Sequence, residues 1–219
     1  MPRTRRLNLE AIENSLRTVQ RDFDVINTTL STPRDPLSDE VLDWMMIGYQ
    51  RVDALVRARV DPYAIGNSAA LLELNLLVLC GDDQTQMSEC AQLVKATRTG
   101  YYVKGDGGIE ALLERMKTLY AESVWRRVAS AYIHMLSQPQ LFIEGNHRTG
   151  ALLMSWMLAL EGKPPFVLSV ENAKAYFDPS ALAKNARKRS MQMMLERPKL
   201  MKRFAELLKR EADKEHVKF

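Results

Sequence analysis

The stretch best equipped for chemistry is Gln140-Leu141-Phe142-Ile143-Glu144-Gly145-Asn146-His147-Arg148-Thr149-Gly150, a polar loop that runs straight into the apolar segment 151–160. If that segment is a buried helix, its free first-turn amides and positive end point at one small space, which favours an anion. Gly145 lets the backbone approach a phosphate, Asn146 can hold the turn through its amide, and Arg148 offers a charged fork, with Thr149 and Gly150 completing the loop. Glu144 supplies a carboxylate for a divalent cation. His147 lies on the same loop, and an imidazole with an ordinary pKa of ~6.5 can act as base, acid or phosphate contact. The plainer reading of a single histidine in a polar loop is a hydrogen-bonding residue.

The elements that must position this loop read as helical. Val41, Leu42, Met45, Met46, Tyr49, Val52, Leu55 and Val56 recur at three- and four-residue steps opposite a charged side, with Ser38 as N-cap and Asp39 and Glu40 in the first turn. A helix over 8–26 precedes it, across a linker, 31–36, that holds Pro33 and Pro36. Helices are expected over Ser68–Cys80, closed by Gly81, and over 87–96. Tyr101-Tyr102-Val103 beside the Gly and Asp residues of 104–108 reads as a β-hairpin. A long helix is expected from Ile109 to about Ser137, then the buried helix Ala151–Leu160, then two more after Ser180 split near Pro198. The fold class is mainly α with one short hairpin.

Composition narrows the function. The 219 residues, 46% hydrophobic, suffice for a sizeable core and exclude disorder as the main state. A formal charge of +4 suits an anionic ligand without demanding nucleic acid. Cys80 and Cys90, with no other cysteine, support neither a disulfide framework nor a cysteine zinc site and read as reduced core thiols. The basic start is followed by a polar-interrupted stretch, and the longest apolar run is about half the ~20 residues of a bilayer crossing. A cytoplasmic protein with no membrane partner is expected.

Residues 140–151 resemble the signature of the Fic (Fido) family, His-Pro-Phe-x-(Asp/Glu)-Gly-Asn-(Gly/Lys)-Arg-x-x-Arg, with Phe142, Glu144, Gly145, Asn146 and Arg148 in register. The resemblance covers about residues 65–195, and it implies a Fic-like core there between an N-terminal helical region, 1–64, and a C-terminal basic helix, 196–219. It further implies transfer of AMP from ATP to a hydroxyl of a protein target. Glu144 would hold magnesium, and Gly145, Asn146, Arg148, Thr149 and Gly150 would surround the nucleotide phosphates. The flap residues Tyr101, Tyr102 and Val103 would hold the target by strand addition.

The departures shape the expectation as much as the matches. The family's catalytic His falls on Gln140, whose amide is not a base near neutral pH. Leu141 replaces the Pro, and Ala151 the second Arg. The expected function is therefore binding of a nucleotide or other phosphate ligand at 144–150 without the usual base. The alternative is an active AMP- or other phosphate-group transferase in which His147 or another base substitutes for Gln140. Ser68 to Asn75 loosely echoes the family's inhibitory helix, which makes Glu73 an inhibitory candidate paired with Arg148, against the plain reading of a surface carboxylate.

Other features read blandly. Residues 164–179 form a packing connector in preference to a lid carrying Asn172, Lys174 and Tyr176. Lys184, Arg187, Lys188 and Arg189 read as part of solvated helix faces in preference to a nucleic-acid surface. His134 reads as a packed helix residue, His216 as a solvated one, and the methionines of 191–194 as core filler.

Overall fold

Apolar residues at helical spacing are hidden most simply by packing helix on helix. The computed structural model describes residues 6–218, and among them eleven α-helices do this. They are α1 (Leu9–Arg21), α2 (Phe23–Thr29), α3 (Asp39–Arg57), α4 (Ser68–Cys80), α5 (Gln84–Glu89), α6 (Ala91–Tyr101), α7 (Ile109–Lys117), α8 (Val124–Leu136), α9 (Asn146–Leu160), α10 (Ala173–Asn185) and α11 (Met191–Arg210). Two short strands, β1 (Arg6–Leu7) and β2 (Val217–Lys218), pair antiparallel with Leu7 opposite Val217, the one sheet among the described residues.

Helix α9 is apolar on nearly every side and is accordingly surrounded, packing against α3, α4 and α8, while α8 packs in turn on α11. One hydrophobic cluster runs from Leu7 to Leu208, so all three sequence regions share a continuous core. Several boundaries follow local chemistry. The Ser38 hydroxyl accepts from the Val41 amide at 3.2 Å and starts α3, and α4 ends at Gly81.

The helices expected over 8–26 and 87–96 are each two, broken at Asp22 and at Cys90. Four further expectations are corrected. The long helix after Ile109 is two, because the chain turns over 118–123 and Ser123 caps α8. Helix α9 begins at Asn146, not Ala151, so the polar end of the loop is already helical. Pro198 lies inside α11 without splitting it, and Pro179 lies inside α10, which starts at Ala173. Pro198 and Met194, whose carbonyl loses its helical donor, are both exposed, so water can serve that carbonyl.

The fourth correction is the flap. Tyr101 ends α6, and 102–108 is turn and bend with no strand. Tertiary packing decides this against β propensity. The Tyr101 ring is fully buried and stacks on Phe142 with centroids 5.3 Å apart, and its hydroxyl donates to the Ser68 carbonyl at 2.6 Å.

Candidate functional site

The loop before α9 is built by its own side chains. Gly145 sits at φ 72°, a left-handed turn, and a Cβ there would meet Asn75 Nδ2 at 3.0 Å and Leu79 at 3.1 Å. Asn146 folds back so that its Oδ1 accepts from the Phe142 amide at 3.0 Å and its Nδ2 donates to the Phe142 carbonyl at 2.8 Å. From beneath, Asn75 of α4 donates to the Glu144 carbonyl at 3.0 Å and to Thr149 Oγ1 at 2.9 Å. Thr149 is fully buried, and a Cβ on Gly150 would lie 2.5 Å from the Tyr132 ring. The side chains of Asn146 and Thr149 therefore serve the loop and not a ligand, and Gly150 packs on Tyr132.

What remains without a partner is backbone and charge. The amides of Asn146, His147 and Arg148 form the first turn of α9, and among the described residues none has an intramolecular acceptor. Arg148 is half-buried with its Nη1 unpartnered; burial lowers its pKa, opposed by Glu144 and Cys80. Glu144 is exposed, and no group of three or more His, Cys, Asp or Glu side chains gathers around a metal position among the described residues. Gln140 donates Nε2 to the Leu136 carbonyl at 3.1 Å, closing the end of α8.

His147 turns inward, and proton counting fixes its tautomer. Ser180 gives its only proton to the Tyr176 carbonyl at 2.6 Å, so it must accept the Tyr132 hydroxyl proton at 2.8 Å. Tyr132 then has only a lone pair left for His147 Nδ1 at 3.0 Å, so Nδ1 carries the hydrogen. Nε2 is left buried without a partner. Burial, with Arg34 and Lys184 nearby, pushes the imidazole down to about 3, so it is neutral at ordinary pH.

Other candidates fall elsewhere. Glu73 pairs with Arg51 of α3 at 2.8 Å and is 45% exposed, so it is a surface carboxylate and not a partner of Arg148. Tyr102 and Val103 are exposed but offer no strand edge, and Tyr101 is core. Asn172 accepts from the Ser169 amide and donates to the Val167 carbonyl, Lys174 pairs with Asp178, and Tyr176 donates to the His147 carbonyl, as befits a connector. His216 is not solvated: it is 6% exposed with Nε2 3.0 Å from Ser15 Oγ. Lys188 departs from the solvated-face reading in the same way, being buried. Of the clustered methionines, Met193 is core while Met191 and Met194 are exposed. Cys80 is a buried free thiol that burial and the adjacent Cys90 push up to about 12; Cys90 itself is half-buried.

Sequence reasoning missed Asn75 and Tyr132, which hold the loop and its histidine. Asn75 had a signal, being a lone amide within the apolar run Leu71 to Cys80. No family model matches this chain, and no curated protein or solved structure shows significant similarity to it.

Proposed function

We propose that the 144–150 loop binds the phosphate of a nucleotide or similar phosphorylated ligand, in a protein that resembles the Fic family in sequence but lacks its base. The observation that carries this reading is the set of three acceptor-free amides on the first turn of α9, with the unpartnered Arg148 guanidinium on the same turn. Helix-end amides and a guanidinium fork match the acceptor oxygens of a phosphate. The single carboxylate of Glu144 fits a magnesium ion carried in by nucleotide phosphates, because magnesium takes one or two protein carboxylates and fills its remaining positions with phosphate and water. When bound, such an ion offsets phosphate charge.

AMP transfer to a protein target is the weaker reading on this geometry. Gln140 has no basic atom, and His147, held at about 3 and turned onto Tyr132, binds a proton too weakly to take one from an attacking hydroxyl. Residues 102–103 present no strand edge to a target.

The test is the thermal stability of wild type and Arg148→Ala with ATP, GTP, CDP-choline and inorganic phosphate, each with and without magnesium. A ligand that binds the folded state raises the melting temperature. A rise with one ligand that is lost in Arg148→Ala supports the reading; no rise with any of them overturns it.

A further inference from the structure

A second cationic place lies away from this loop. A cavity of 460 Å³ is lined by α7, α8, α11 and the chain around 105–106 and 188–189, and no residue of 140–150 contributes to it. Three of its cations reach only neutral partners. Arg115 donates to Ser130 Oγ at 3.2 Å, to Thr118 Oγ1 at 3.5 Å and towards the Met201 sulfur at 3.7 Å. Arg197 donates to the Lys188 carbonyl at 2.8 Å, and the buried Lys188 ammonium donates to the Asp106 carbonyl.

His134 of α8 lines the same cavity. It is 9% exposed, and neither of its ring nitrogens has a partner. A buried imidazole carries a donor and an acceptor that both call for partners. The carboxylates of the lining do not supply them. Asp106 is taken by Arg189 at 2.7 Å, Glu114 by Lys117 at 2.6 Å, and Glu110 is exposed.

We propose that this cavity binds the phosphate group of a small phosphorylated compound. A phosphate monoester offers three acceptor oxygens to divide among two guanidiniums and an ammonium. The donor nitrogen of the imidazole can bond one of those oxygens as well. A carboxylate has only two oxygens to divide among the same donors. The cavity volume lies in the range of small-molecule pockets and leaves room beyond the phosphate itself. Its cations lower the basicity of His134 after burial has done so, and a bound dianion reverses that part of the effect.

The experiment is calorimetric titration with inorganic phosphate, and with acetate as the carboxylate probe, into wild type, Arg148→Ala and the double variant Arg115→Gln/Arg197→Gln. The His134 ring is followed in parallel by nitrogen-15 NMR on the wild type. Phosphate is expected to keep binding at this cavity in Arg148→Ala, whatever the 144–150 loop adds in wild type, to bind the cavity at least ~tenfold more weakly in the double variant, and to move the His134 resonances of wild type with a raised titration midpoint. The proposal is overturned if wild type takes up nothing at ~10 mM phosphate, where a millimolar site fills. It is equally overturned if acetate binds as well as phosphate, or if binding is lost in Arg148→Ala but kept in the double variant. Should the double variant fail to fold, the wild-type His134 spectrum decides, since unmoved resonances at saturation exclude a ligand in this cavity.

Discussion

His147 and Arg148 are neighbours in sequence with opposite surroundings, and that difference assigns their work. The imidazole is held by the Tyr132 hydroxyl, itself bonded to Ser180, and the backbone carbonyl of His147 accepts from Tyr176, while the guanidinium keeps an unpartnered nitrogen. That Gln140 is no base was readable from its type alone. The inward turn of His147 was not, because it depends on side chains from α8 and α10 far along the chain. His134 and His147 are both held at about 3, below the ~6.5 of an unfolded chain. Folding thus favours their neutral forms, so the stability they protect is present above pH ~6.5 and is lost as pH falls towards ~3, by up to ~1.4 kcal/mol per pH unit for each. Urea unfolding in phosphate-free buffer is expected to show a lower midpoint at pH 5 than at pH 7, with a shallower dependence in His147→Gln. A midpoint unchanged between those pH values would contradict the burial of both rings.

At the scale of elements, the loop depends on how closely α9 approaches α8. Gly150 permits that approach, since a Cβ would lie 2.5 Å from the Tyr132 ring. Gly150→Ala is therefore expected to destabilise the protein by about 2 kcal/mol through overpacking. Gly100→Ala, on an open face of α6, should stabilise it by roughly 0.5–1 kcal/mol by removing a helical glycine. Chemical denaturation of both variants checks the pair, and equal effects would mean that the contact with α8 is looser than described. Element boundaries were legible where local chemistry sets them, as at Ser38 and Gly81. They were not where a distant contact decides, as when the stacking of Tyr101 on Phe142 makes a β-prone triplet the end of a helix. Proline also misled, because its cost inside α11 is relieved by solvent.

For the whole molecule, the mainly helical class was plain from periodicity, whereas the pairing of β1 with β2 had no local signal, being two residues on each side. That pairing is reinforced by the Asn8 amide donating to the His216 carbonyl at 2.9 Å and by His216 against Ser15. Deleting residues 214–219 should lower stability by about 2 kcal/mol, the scale of a few lost hydrogen bonds, measurable as a lower urea midpoint. No change would show that the pairing is peripheral to the core. Helix packing also explains why the loop motif was visible in sequence while the cavity around His134 was not. The motif is contiguous, and the cavity gathers Arg115, His134, Lys188 and Arg197 from separate elements.

The central claim, that the first turn of α9 receives a phosphate, is tested most directly by amide NMR during titration with magnesium ATP. The account predicts that the Asn146, His147 and Arg148 amide resonances move together in the wild type and stay in place in Arg148→Ala. Resonances of these three that do not move in the wild type, or that move equally in the variant, would contradict it.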